Sequence, residues 1–227
     1  MLTTLEQKID PSNAVLITVD VQNDFCNPSS FPAKYGGRDV SMYQKMIDGL
    51  LILVDSARAV GLPIIHVRYE ETPWSFSDVQ KENRMRSKRR RASKLPHRDY
   101  DICAPGSEGA EFYRIKPDPK DIIVTKYRFS AFFQTNLHLI LSSLRRKSLI
   151  FCGGGTNICV ESSVRDAFQM DYYCVVVSDC TPTGQGEEAH KASLSNIEHY
   201  FGEVASLEQV LKIWNVKQAS QITATST

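Results

Sequence analysis

The sequence predicts an α/β fold: three α/β/α layers around a six-stranded, mainly parallel sheet. Three observations carry that expectation. Short apolar, β-branched runs recur along the chain, helical periodicity fills most of the intervals between them, and 227 residues fit within one α/β domain. Strands that alternate with helices pair in parallel and are covered on both faces.

The elements follow in order. Val15 to Asp20 is the first strand, and apolar residues at helical spacing run from Ser41 to Val60, where Gly61 and Pro63 end the helix. Ile64 to Tyr69 is the second strand and Ile122 to Thr125 the third. Gln134 to Leu144 reads as a helix, Leu149 to Phe151 as the fourth strand and Asn157 to Met170 as the next helix. Cys174 to Val177 is the fifth strand, Glu187 to Tyr200 a further helix and Glu203 to Ala205 a short last strand. Residues 70–120 interrupt the pattern with Pro73, Pro96, Pro105, Pro117 and Pro119, and only Ala110 to Arg114 suggests a helical turn. A connection of that length is expected to be a lid-like excursion over the sheet. The domain is set at 1–215, and 216–227, polar and simple in composition, are expected to form a disordered tail.

Composition narrows the function classes. With 42% hydrophobic residues and a net charge of +1, the chain has the material for a core and no global basic surface for nucleic acid. No apolar stretch reaches membrane-spanning length and the amino terminus lacks a signal pattern, so a cytoplasmic protein without membrane contact is expected. The six cysteines show no CxxC pair and no zinc spacing, which favours reduced thiols. The basic run from Lys81 to Arg98 reads as a solvated or subunit-facing loop, because aromatic residues do not interleave with it.

One segment carries chemistry. Gly153 to Glu161 follows an apolar run and reads as strand, glycine turn and helix start with Cys159 in it. Unpaired first-turn amides and the helix dipole favour an ionised thiol there, and can hold an oxyanion. A cysteine so placed also serves as inert packing. In an open parallel sheet, ligands bind beyond the carboxyl ends of the strands, where Asp20 and Lys126 also fall. As a set, Asp20 takes the thiol proton, Lys126 stabilises charge and the thiolate attacks a carbonyl, which suits amide hydrolysis. Separately, the aspartate reads as a cap or turn residue and the lysine as a solvated charge.

Three ordered motifs, Asp20 to Phe25, Lys126 to Phe132, and Gly155 to Glu161 with Arg165-Asp166-Ala167, resemble the isochorismatase-like cysteine hydrolases over roughly residues 14–206. That resemblance implies a Rossmann-like sheet, a catalytic triad at Asp20, Lys126 and Cys159, a cis peptide joining Gly154 to Gly155, and an oxyanion hole from the Gly155 and Cys159 amides. Relatives usually carry a larger residue where Gly154 stands. Metal-binding members have an Asp-x-His pair, absent here, so neither metal nor other cofactor is expected. Within the family the chain is most similar to ureidoacrylate amidohydrolases and related hydrolases of carbamoyl compounds, through Arg128 to Phe133, Thr156 to Ser162 and Asn196 to Gly202. The implied activity is cleavage of a C–N bond in a small ureido, carbamoyl or amide substrate through a thioester. Vinyl ether hydrolysis of the isochorismatase type, and hydrolysis of biuret or N-carbamoyl amino acids, are the alternatives. Candidate substrate contacts are Phe25, Arg128, Phe129, Phe132, Asn157 and Trp74, with Phe76 as a further wall residue and Arg128 or a basic-run arginine as a carboxylate clamp. A homodimer or homotetramer is expected from the resemblance.

Overall fold

The computed structural model describes residues 1–90 and 101–214, with side chains at all of these except 87–90. Six strands are present: β1 (Ala14–Val19), β2 (Ile64–Tyr69), β3 (Ile122–Lys126), β4 (Ser148–Gly153), β5 (Tyr173–Val177) and β6 (Glu203–Ala205). Every pairing is parallel, in the order β3-β2-β1-β4-β5-β6. The helices are α1 (Leu5–Lys8), α2 (Asn23–Cys26), α3 (Phe31–Lys34), α4 (Ser41–Ala59), α5 (Asp78–Arg90), α6 (Leu137–Ser143), α7 (Glu161–Gln169), α8 (Glu187–Asn196) and α9 (Leu207–Ile213).

Strand side chains alternate between the faces, so one apolar run feeds two cores. Ala14 and Leu16 pack with Ile47, Leu50 and Leu53 of α4 and Val210 of α9. Val15, Ile17 and Val19 pack on the opposite face with Leu137 and Leu141 of α6 and Val164 of α7. Burial on both faces is why these strands are apolar throughout. In α4 the buried positions Tyr43, Ile47, Leu50, Val54 and Ala57 recur every three or four residues, as one covered stripe requires. Gly61, at φ +73°, turns the chain out of that helix.

Four sequence expectations need correction. The basic run is a helix, not a loop, through Arg90; residues 91–98 lie outside the described residues, as does the tail at 216–227. The turn expected at Ala110 to Arg114 is a single 3-10 turn at Glu108–Ala110, after which Phe112 bridges antiparallel to Gln22. The helix expected from Gln134 starts only at Leu137. The helices expected from Asn157 and through Tyr200 are interrupted by π-helical turns at Thr156–Val160 and Ile197–Phe201.

The excursion after β2 is tied back to the sheet. The Gln22 amide donates to the Tyr69 and Ala110 carbonyls, each at 2.9 Å, and accepts from the Tyr69 amide at 2.7 Å. The buried Asp24 carboxylate takes the Cys103 amide at 2.8 Å. These bonds hold the chain across the carboxyl end of the sheet.

Candidate active site

The strand order reverses between β1 and β4, and the two chains that leave those strands diverge around a crevice. Asp20 follows β1 in the left-handed region, at φ 52°, a conformation that aspartate tolerates better than most residues. Its turn aims the carboxylate into the crevice rather than along the strand. Lys126, the last residue of β3, is fully buried, and its Nζ lies 2.8 Å from Asp20 Oδ2. The ammonium also donates to the Arg128 carbonyl at 3.0 Å and sits 5.3 Å from the Tyr69 ring centroid.

Cys159 comes from the loop after β4. Gly153, at φ +98°, lets that loop pass directly over the end of β1, where any Cβ would collide with the Val19 carbonyl. The Gly154 amide then donates to Val19 O at 2.8 Å. The Gly154–Gly155 peptide is cis, as the resemblance implies. The structure also accounts for the small residue at 154: a Cβ there would lie 2.5 Å from Tyr43 Cε1, so the α4 tyrosine fills the space of the missing side chain.

Beyond the loop, the Thr156 hydroxyl donates to Thr181 O at 2.6 Å and lies 2.9 Å from His190 Nδ1. Because its one proton goes to the carbonyl, His190 must donate from Nδ1. The Gly155 amide has no backbone acceptor among the described residues, which leaves it open toward the crevice.

The electrostatics differ from the sequence expectation in one respect. Burial pushes the Cys159 thiol up to about 12; nearby Lys126 pulls it down and the Asp20 charge raises it again. The expected easy ionisation from a helix start is therefore absent in the resting site. Cys159 is the fourth residue of a π-helical turn that runs on into α7, and desolvation outweighs the dipole. Burial likewise raises the Asp20 carboxyl, against the pull of Lys126. For Lys126, burial works downward, but the Asp20 and Cys159 charges hold it above its ordinary value. Asp20 Oδ1 is buried and has no hydrogen-bond partner among the described residues. A raised carboxylate with one oxygen free, beside a thiol, is placed to accept a proton.

Asp20 and Cys159 line a cavity of about 260 Å³, and Lys126 lies buried behind Asp20. Of the candidate substrate contacts, Phe25 and Phe129 line the cavity, and so does Phe76. Phe132 does not: it is buried in the core, with its ring 6.1 Å from Tyr172. Trp74 is largely exposed and packs at a tilt against Tyr127 outside the cavity, with centroids 4.7 Å apart. Arg128 turns its guanidinium to the Ser75 and Tyr127 carbonyls, both at 2.8 Å. Asn157 stands behind the wall, where it donates to Gln185 at 3.1 Å and accepts from Thr183 at 2.7 Å, and those two residues line the cavity instead. Arg84, one of the basic-run arginines considered as a clamp, also lines the cavity; sequence reasoning missed Arg38, Tyr43 and the α5 residues Gln80 and Asn83. The glycine-rich chain before α4 and the polar α5 carried no signal that they would face the crevice.

A family model described as the isochorismatase domain matches residues 14–209. The chain belongs to the isochorismatase family. It is 33% identical over 219 residues to a ureidoacrylate amidohydrolase, RutB, of Methylobacterium radiotolerans, covering 90% of this chain and 82% of that one. A cysteine hydrolase from Pseudomonas syringae superposes with a TM-score of 0.72 at 23% identity, over 92% of this chain and 95% of the other. An N-carbamoylsarcosine amidase from Thermoplasma acidophilum gives 0.66 at 21% identity, over 86% and 97%. These two structures share the fold of the isochorismatase-family chain. Among its described residues there is no group of three or more His, Cys, Asp and Glu side chains able to hold a metal ion, and no helix is long and apolar enough to cross a membrane.

Proposed function

We propose that this isochorismatase-family chain is a cysteine-dependent amidohydrolase that cleaves a C–N bond of a small ureido, carbamoyl or amide substrate. The observation that carries the reading is the cavity wall, where Cys159 lies beside Asp20, whose carboxylate is paired with buried Lys126 on one oxygen and has no partner among the described residues on the other. The similarity to a ureidoacrylate amidohydrolase supports the substrate class.

The steps follow from the charges. Substrate enters and excludes water, its carbonyl carbon over Sγ and its oxygen toward the Gly155 and Cys159 amides. Asp20 takes the thiol proton as the sulfur attacks, so the thiolate exists only while it is being consumed. That order suits a thiol whose resting value is about 12. Lys126 keeps the anionic charge in the site compensated. The C–N bond breaks as Asp20 returns the proton to the leaving nitrogen, and a water activated by the same carboxylate cleaves the thioester. A carbamoyl product decomposes to ammonia and carbon dioxide.

The test is ammonia release from a panel of ureides, carbamoyl amino acids and amides. Cys159→Ala is expected to lower turnover by at least about 10⁴-fold while the thermal midpoint holds. Ammonia release that survives the substitution overturns the thioester route.

A further inference from the structure

Among the described residues four cations stand in or beside the cavity, and three are already occupied. Lys126 is paired with Asp20. Arg128, the clamp expected from the sequence, is bound to two backbone carbonyls. Arg84 engages both oxygens of the buried Glu71 and lies over the Phe76 ring, 4.1 Å from its centroid. Arg38 is the fourth. It lines the cavity from the loop between α3 and α4, and among the described residues its guanidinium makes no hydrogen bond and no ion pair. Its Nε is buried without a partner. Arg58 and Arg146 also have such an Nε, but their terminal nitrogens reach oxygens: Asp55 and Asp121 for the first, Pro11 and Ser12 carbonyls for the second.

What Arg38 does touch is the face of Phe25, 4.8 Å from the ring centroid. A ring against one face steadies the guanidinium plane and leaves its edge to a ligand. Among the described residues no carboxylate satisfies that edge. Asp20 belongs to Lys126, and Asp39, exposed at the rim, accepts the Ser41 amide at 2.8 Å. A partly desolvated guanidinium without a partner is costly, and a planar carboxylate is the group that matches its fork.

We propose that Arg38 is the specificity-determining residue that binds a carboxylate on the substrate, so that the preferred substrates are ureido or carbamoyl acids rather than neutral amides. This rests on the hydrolase reading above and adds to it the charge of the substrate and the group that reads that charge. The guanidinium holds the far end of the molecule while the scissile carbonyl lies over Cys159, so its contribution falls on binding.

The experiment compares 3-ureidoacrylate with its methyl ester. In ammonia-release assays the wild type is expected to prefer the acid. Arg38→Met is expected to raise KM for the acid about 10- to 100-fold, with kcat and the ester's KM nearly unchanged, and Arg38→Lys to recover part of the loss. Equal use of acid and ester by the wild type, or an equal loss for both in Arg38→Met, overturns the proposal. Calorimetric binding of both ligands to Cys159→Ala and to Cys159→Ala/Arg38→Met separates this proposal from the hydrolase reading. Acid binding that depends on Arg38 without any wild-type turnover supports the clamp and removes the hydrolase; acid binding that is absent or indifferent to Arg38 removes the clamp. Melting curves of each variant show that the fold is retained.

Discussion

Strands β1, β2 and β3 carry two buried ionic clusters with similar ingredients and opposite states of satisfaction. Toward the amino end of β3, Asp121 Oδ2 meets Arg58 at 2.7 Å, His66 Nε2 at 3.0 Å and the Asp118 amide at 2.8 Å, while Thr18 lies 2.8 Å from His66 Nδ1. At the carboxyl end, Asp20 has Lys126 on one oxygen, and the other, beside Cys159, has no hydrogen-bond partner among the described residues. Burial pushes both carboxyls up, but the Arg58, Asp118 and His66 bonds bring Asp121 below its ordinary value, whereas Asp20 stays above. The first cluster spends its hydrogen-bonding capacity on the fold. The second keeps an oxygen in reserve beside a cavity, which is what a proton acceptor needs. The arrangement Thr18–His66–Asp121 looks like a nucleophile, base and orienter, yet Thr18 and His66 are both fully buried in the sheet and line no cavity. Composition alone does not separate these two clusters; an unpartnered acceptor at the wall of a cavity does.

The sharpest way to break this comparison is to neutralise each carboxylate in turn. Asp20→Asn is expected to lower kcat by about 10²- to 10⁴-fold, because the proton acceptor is lost. Asp121→Asn is expected to leave kcat near wild type and to lower stability by about 1–3 kcal/mol, because its donors lose their shared acceptor. Paired measurements of turnover and urea midpoint check both, and a turnover loss in Asp121→Asn as deep as that in Asp20→Asn would erase the distinction.

A second perturbation acts on the loop that brings Cys159 to Asp20. Gly154→Ala places a methyl group against the Tyr43 ring, and overpacking of that kind costs about 1–3 kcal/mol. Activity should fall with stability, since the displaced chain carries Cys159 and the amides proposed to hold the oxyanion. Adding Tyr43→Leu opens the space, so the double variant is expected to be more stable than Gly154→Ala alone, as thermal melts will show. Additive losses would mean that the two residues are not a packing pair.

The smallest effect belongs to His66. Burial lowers its pKa, against the Asp121 bond that raises it, so the folded protein binds its proton less readily than the unfolded chain. Stability from this group is fully present above the unfolded value of about 6.5 and is lost as pH falls through that value toward the folded one. The urea midpoint is expected to drop over that interval, and His66→Gln to flatten the drop. An unchanged slope in that variant would assign the acid sensitivity elsewhere.

How much of this was readable from residues alone depends on where the information lies. The sheet was legible because β1, β4 and β5 are buried on both faces, so their sequences are apolar in unbroken runs. The convergence of residues 20, 126 and 159 was legible because strand ends in a parallel sheet share one edge. Helix α5 was not, since Asp78 to Arg90 has no apolar stripe to reveal its period. The single-turn helices α2 and α3 are too short for any periodicity to emerge. Arg128 and Arg38 were indistinguishable as residue types; what separates them is which one finds backbone carbonyls, a fact of tertiary placement. The thiol's upward shift was missed for the same reason, because the depth of burial is set by chain segments far from Cys159.

All six cysteines are free and five of them are buried, which leaves Cys159, half-buried at the cavity wall, as the one cysteine a ligand can reach. Thiol-directed electrophiles that enter the cavity will therefore meet a single cysteine. A probe shaped like the natural ligand and carrying a soft warhead would report occupancy of the pocket in a crude extract, with no need to strip the other thiols from the gene.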